Sequence, residues 1–165
     1  MKLTYTLSRE ILRPGVAAHY DHRCGKLRYF RLAIYFAMIL LGILFIMDGR
    51  NRTIYLGTVM IAFGVLSLFR KRLYIWRSLN SFFKTQDDSP EIELTVDDKG
   101  VGIESAHTSG RMDWKGLVDF KEVATGILLY PQTNIFYWVP ATAKIEGGTW
   151  SEMLQKIEKR VSRKV

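Results

Sequence analysis

Four side chains with metal-ligating atoms, His19, Asp21, His22 and Cys24, fall within one six-residue stretch. Structural zinc sites join two short ligand pairs across a longer gap, and no second cluster supplies the missing pair here. The segment therefore reads as solvated chain, and no metal is assigned. Asp97, Asp98 and Glu104 offer carboxylates for acid–base chemistry or calcium. A calcium loop spaces its oxygens at alternating positions, whereas adjacent aspartates before Lys99-Gly100 suit a strand turn. His107 has no evident nucleophile and orienting acid, and no glycine-rich phosphate loop occurs. An enzyme would have to be built from Asp113, Glu104 and His107; no catalytic residue and no cofactor is assigned. Cys24 is the single cysteine, which excludes an intrachain disulfide and suits a reducing compartment.

The elements that would have to position such groups begin with two uncharged apolar runs. They are Leu32 to Met47 and Thr53 to Phe69, separated by Asp48-Gly49-Arg50-Asn51-Arg52. Ten of the sixteen residues in the first run are Leu, Ile or Phe, which favours bilayer insertion by about 3–6 kcal/mol before glycine and polar terms are subtracted. Tyr29, Phe30 and Arg31 extend the first run and Arg70 the second, so each can cross about 30 Å of hydrocarbon as a helix. A cleaved signal sequence would start nearer the N-terminus and be shorter. A buried hairpin in a soluble protein, or a helix lying in the interface, would keep a polar stripe, and neither run has one. The runs carry Tyr55, Thr58 and Ser67 but no ionisable acid, base or imidazole, which argues against an ion or proton pathway. Gly57 and Gly64 share a helical face, as do Ala33 and Ala37 on the first run, and close packing of the two helices is expected through these four small residues.

The net charge of +8 is unevenly spread. Residues 1–77 hold 13 basic and 3 acidic side chains, while residues 78–165 hold 11 and 13. A nucleic-acid binder would carry its cations on a folded face among aromatics, so nucleic acid is not expected as a partner. The excess instead flanks the apolar runs, where Arg28, Arg31, Arg70, Lys71 and Arg72 would attract anionic lipid of the bilayer. The loop between the runs carries just Arg50 and Arg52, so both termini of a multi-pass protein are expected in the cytoplasm.

Outside the runs, Leu3, Tyr5 and Leu7 alternate with polar residues as in a half-buried strand. Ser8 then caps a short amphipathic helix that Pro14 is expected to break or bend. After the second run, Leu73, Trp76, Asn80 and Phe83 keep helical spacing, so the helix is expected to continue until Gln86-Asp87-Asp88-Ser89-Pro90 ends it. Ile92, Leu94 and Val96 begin a hairpin that turns at Asp98-Lys99-Gly100 into Val101 and Ile103. Further strands are expected at Arg111 to Trp114, Leu117 to Val123, Ile127 to Tyr130 and Asn134 to Val139. Thr149-Trp150-Ser151-Glu152 is a capping box, and Trp150, Met153, Leu154, Ile157 and Val161 form the apolar stripe of a closing helix. The fold class is a membrane α-helical hairpin plus an α+β domain. In that domain an antiparallel curved sheet of about six or seven strands carries a C-terminal capping helix, in a pleckstrin-homology-like arrangement. The expected division is residues 1–28 (strand and juxtamembrane segment), 29–77 (spans at about 29–47 and 53–72), 78–89 (helix end and linker) and 90–165 (the domain).

This pattern resembles the YcxB-like family of small bacterial membrane proteins over nearly the full length. The likeness is carried by Leu3-Thr4-Tyr5-Thr6-Leu7-Ser8, the double run with basic flanks, Asp98-Lys99-Gly100-Val101, Asp113-Trp114, and Ile127-Leu128-Leu129-Tyr130 through Val139-Pro140 to the capped helix. The resemblance implies a bacterial inner-membrane protein from a family largely without an assigned activity. One departure is that Pro140 is followed by neutral Ala141-Thr142-Ala143, where the family often has basic residues and an aromatic. Ile135 to Val139 is apolar on both faces, so Trp114, Phe136, Tyr137 and Trp138 are assigned to an interaction surface meeting the bilayer, a protein partner or second copy, or the N-terminal strand. The expected role is a membrane protein presenting a cytosolic binding or sensing module. Two readings stand beside it: a regulator or protective partner of another membrane protein acting through the hairpin, and a membrane-associated enzyme with an unrecognised site.

Overall fold

The computed structural model describes residues 1–24, 27–85, 90–105, 108–133 and 135–161. His107 lies outside the described residues, as do the side chains of Cys24 and Arg28. The chain divides into two units, residues 1–19 with 79–165, and residues 20–78. The boundaries fall inside two helices, α1 (Arg9–Cys24) and α4 (Arg70–Thr85).

In the first unit the period-two pattern at the N-terminus forms β1 (Lys2–Thr6), with Leu3 and Tyr5 buried and Lys2 and Thr6 exposed. It pairs antiparallel with β2 (Glu91–Val96), Leu3 opposite Leu94, and β2 pairs with β3 (Gly100–Ser105), Val96 opposite Val101. With β4 (Thr108–Asp113) and β8 (Lys144–Glu146) these strands form a five-stranded sheet ordered β4-β3-β2-β1-β8. β5 (Asp119–Val123), β6 (Gly126–Gln132) and β7 (Ile135–Pro140) form a separate three-stranded meander. Two sheets of five and three strands thus replace the expected single sheet of six or seven. The chain leaves the first sheet at a 3₁₀ turn, Trp114–Gly116, whose Trp114 is buried, and β5 bonds to β6 without joining β4. It returns after Pro140 through β8, which pairs with β1.

β6 is buried on both faces from Gly126 to Tyr130, so it is the central layer of the core. The closing helix α5 (Trp150–Arg160) contributes Met153 and Ile157, both fully buried. Its N-terminus is fixed by the expected capping box: Glu152 N–H donates to the Thr149 hydroxyl at 3.3 Å and Thr149 N–H to the Glu152 carboxylate at 2.8 Å. At the start of α1, Ile11 N–H donates to Ser8 Oγ at 3.3 Å. Pro14 does not end this helix. In its second turn the bond forfeited is the one to the Glu10 carbonyl, on an exposed residue that water can satisfy. Leu12, Val16 and His19 are buried along one face of α1.

The second unit contains the two apolar runs as α2 (Leu27–Met47) and α3 (Asn51–Leu68). Both helices are long and apolar enough to cross a membrane, about 31 and 27 Å at about 1.5 Å per residue. α3 stops at Leu68 instead of continuing to residue 72 and beyond. Phe69 takes φ −84° and ψ 0° and its N–H bonds the Leu66 carbonyl at 3.1 Å, a tightened turn that separates α3 from α4 where the apolar run meets Arg70-Lys71-Arg72.

Candidate functional site

The seam between α2 and α3 is set by glycine. A Cβ on Gly42 would lie 2.7 Å from the Gly57 carbonyl oxygen and 2.7 Å from Ile61 Cγ1, and one on Gly64 would lie 2.6 Å from Ile39 Cγ1 and 3.1 Å from the Tyr35 carbonyl. Backbones this close admit no side chain, which is how small residues tighten helix pairs. Gly57 and Gly64 therefore occupy the seam as expected, whereas Ala33 and Ala37 do not. Both alanines are exposed, and α2 presents Tyr35, Ile39, Gly42 and Ile46 instead. Gly42 was missed because the alanine pair selects a neighbouring face; the heptad-like spacing of 35, 39, 42 and 46 is the signal that finds it.

At the end of this hairpin formed by the start of α2 and the end of α3, a cavity of about 170 Å³ is lined by Tyr20, Arg31, Tyr35, Ser67 and Lys71. Leu32 and Leu68 complete its wall. Lys71 is held by both carboxylate oxygens of Asp21, at 2.7 and 2.9 Å, and Tyr20 packs against Tyr74 at 5.2 Å between ring centroids. Two of the expected flanking cations, Arg31 and Lys71, thus line one cavity, while Arg70 and Arg72 are exposed and do not line it. Asp21 falls in the stretch with the solvated-chain reading; its partner is instead an ammonium fifty residues away.

His19, the other prominent member of that reading, belongs to the core of the first unit. Its Nδ1 lies 3.2 Å from the Tyr130 hydroxyl and its ring stacks on Phe136 at 4.6 Å. One turn earlier Gly15 meets the Trp138 ring, to which an added Cβ would approach within 2.6 Å. α1 therefore covers the β7 face that carries Phe136 and Trp138, and Tyr5 donates to the Trp138 carbonyl at 2.7 Å. This corrects the assignment of Trp138 and Trp114 to an interaction surface, since both are core residues. Trp114 donates its indole N–H to the Asp97 carbonyl at 3.2 Å. The opposite face of β7 leaves Ile135 and Tyr137 exposed. Trp138 Nε1 is buried with no hydrogen-bond partner among the described residues.

The carboxylates are held separately. Asp97 Oδ1 accepts the N–H groups of Lys99 at 2.8 Å and Gly100 at 3.0 Å, and its other oxygen pairs with Arg111. The Lys99 bond, then the Arg111 guanidinium, hold the Asp97 carboxyl below its ordinary range. Asp98 is lowered by Lys156, 2.9 Å away on α5, so the two aspartates tie the β2–β3 turn to β4 and to the closing helix. Glu104 faces Ser109 across the ladder, while Asp113 lies four residues further along β4, about 13 Å at about 3.3 Å per residue. The enzyme reading's two described carboxylates thus share no site. No group of three or more His, Cys, Asp or Glu that could hold a metal ion occurs among the described residues.

Comparison of the chain with protein-family models, with curated proteins and with solved structures finds no match.

Proposed function

We propose that the chain is an integral membrane protein whose α2–α3 hairpin spans the bilayer and whose two-sheet unit is presented to the cytoplasm as a binding or sensing module. The observation that carries this reading is the outer surface of the hairpin. Barely a tenth of either apolar window is buried, at 6% and 11%, and Phe36, Leu40, Val59 and Phe63 are each more than half exposed. Core helices of a soluble protein bury such side chains, and an uncovered apolar surface of this extent calls for lipid or another apolar partner. Cations gathered at one end of both helices support the orientation, with both termini on the cytoplasmic side and anionic lipid at the basic flanks. The bacterial inner membrane and the YcxB-like, pleckstrin-homology-like character are part of the same proposal and rest on the sequence resemblance. The module's contact surface would include Tyr137 and Ile135, the exposed aromatic and aliphatic side chains of β7.

Alkaline carbonate extraction of membranes from cells expressing the chain tests the anchoring. Retention in the pellet supports it, and release with peripheral proteins contradicts it. A photo-crosslinking probe at Tyr137, with one at Lys99 as the control, tests the module. Repeated capture of one protein from Tyr137 alone supports a binding surface, and identical adducts from both sites contradict it.

A further inference from the structure

We propose that Phe69, Leu73 and Trp76, a stripe along the start of α4 flanked by Arg72 and Arg77, form a contact surface for the headgroup layer of an anionic bilayer. The inference rests on the membrane reading above and adds to the spanning hairpin a second, interfacial attachment. The three apolar residues recur at intervals of four and three, so they share one helical face, and they are 52%, 48% and 62% exposed. At about 100° per residue, Arg72 and Arg77 fall about 60° and 80° to either side of Phe69, and both are exposed. Lys71 and Tyr74 lie on the other side of the helix, where α1 meets them through Asp21 and Tyr20. The stripe is thus the face of this segment turned away from its protein neighbour.

Further along the same face the chain covers itself. Asn80 accepts from Arg9 at 3.1 Å, and the Arg9 guanidinium lies 5.4 Å from the centre of the buried Phe83 ring. Toward α3 the stripe instead continues into Val65 and Leu66, exposed apolar residues that the membrane reading gives to lipid. Depth and charge select the occupant of the part between. Counted from Asn51 at about 1.5 Å per residue, a hydrocarbon layer of about 30 Å ends near Arg70, which puts Leu73 and Trp76 within the next 7 Å or so, the depth of the headgroups. Tryptophan concentrates at that level, and arginine extends its guanidinium from there to lipid phosphates. No Asp or Glu occurs from residue 49 to residue 86, so the arginines have no acidic neighbour along α4, and the segment's charge suits an anionic surface.

The test reconstitutes the full chain into phosphatidylcholine vesicles with and without phosphatidylglycerol, using lipid chains brominated near the headgroup to quench neighbouring indoles. The chain has four tryptophans, and Trp76→Phe, a change at an exposed position, isolates the Trp76 emission while leaving the buried Trp114 and Trp138 in place. The expected result is quenching in the wild type that Trp76→Phe loses and that phosphatidylglycerol increases. Arg72→Gln, Arg77→Gln should lose the phosphatidylglycerol increment, while Arg50→Gln, Arg52→Gln in the loop between the apolar helices should keep it. Equal quenching in wild type and Trp76→Phe would overturn the proposal. An increment that survives in the Arg72, Arg77 variant, or that falls equally in the loop variant, would also overturn it, by reducing the effect to general surface charge. Trp76 emission that is blue-shifted yet escapes bromine would overturn the lipid assignment in favour of a protein cover such as a second copy. If wild-type protein stays in carbonate-washed membranes and Trp76 is not quenched, the stripe assignment alone fails; if it is washed out, the membrane reading fails first.

Discussion

Gly42 and Gly57 face one another across the α2–α3 seam so closely that a side chain on Gly42 would collide with the Gly57 carbonyl. Each glycine is buried while the alanines at 33 and 37 are exposed. Gly57→Leu or Gly42→Leu should therefore destabilise the hairpin by about 1–3 kcal/mol, the usual cost of forcing methylenes into a close-packed contact. Ala37→Leu should change stability by less than about 0.5 kcal/mol. Thermal unfolding of the full chain in detergent distinguishes the two faces. Equal effects at 37 and 57 would place the seam elsewhere.

Gly15→Leu should cost a comparable amount in the first unit, because the added side chain enters the space of the Trp138 ring. Tyr137→Ala, on the opposite and exposed face of β7, should leave the melting temperature nearly unchanged. This pair of variants, followed by circular dichroism melts, checks that α1 covers the aromatic face internally.

The Tyr5 hydroxyl donates to the Trp138 carbonyl from a buried position, and burial raises its pKa above that of an ordinary phenol. Tyr5→Phe should cost about 1 kcal/mol at neutral pH through the lost hydrogen bond. The native state keeps a proton that the unfolded chain releases above about pH 10, so stability should fall as pH rises past that value. The Phe variant should lack this share of the alkaline loss, as melts at neutral and alkaline pH would reveal.

Asp97 and Asp98 work in the opposite sense. Their folded pKa values are lowered, so their stabilisation is present above about pH 4 and is lost as pH falls through the folded values. Asp97→Asn keeps an oxygen for the Lys99 and Gly100 N–H groups and loses the charge toward Arg111; Asp97→Ala loses both. At pH 7 the melting temperatures should rank wild type, Asn, Ala, and the gap between wild type and Asn should close in acid. A gap that persists after the Asp97 carboxyl has been protonated in the folded state, as followed by NMR, would assign the effect to packing instead of charge.

What was legible in the sequence is what depends on near neighbours. Leu3, Tyr5 and Leu7 announce a strand by alternation, Thr149 and Glu152 a helix start by reciprocal capping, and Asp97 a turn by its position before Lys99-Gly100. The remainder depends on distant partners. β8 is just Lys144-Ile145-Glu146, with one apolar residue, and becomes a strand because β1 offers it an open edge. His19 reads as part of a solvated stretch, yet it is buried where Tyr130, 111 residues away, meets its ring nitrogen. The split into two sheets leaves no local mark either, since the 3₁₀ turn at Trp114 looks like one more hairpin turn. The cavity was half legible: Arg31 and Lys71 were expected as flanking charges, but their convergence with Tyr20, Tyr35 and Ser67 required the helices to be paired.

The most direct test of the central claim is cysteine accessibility in intact bacterial cells expressing the full chain. In a Cys24→Ser background, Asn51→Cys reports on the loop between the apolar helices and Lys99→Cys on the two-sheet unit. A spanning hairpin with cytoplasmic termini predicts that a membrane-impermeant maleimide labels position 51 in intact cells and position 99 only after lysis. Labelling of both positions only after lysis would contradict it, and would place the apolar helices on a surface covered by protein.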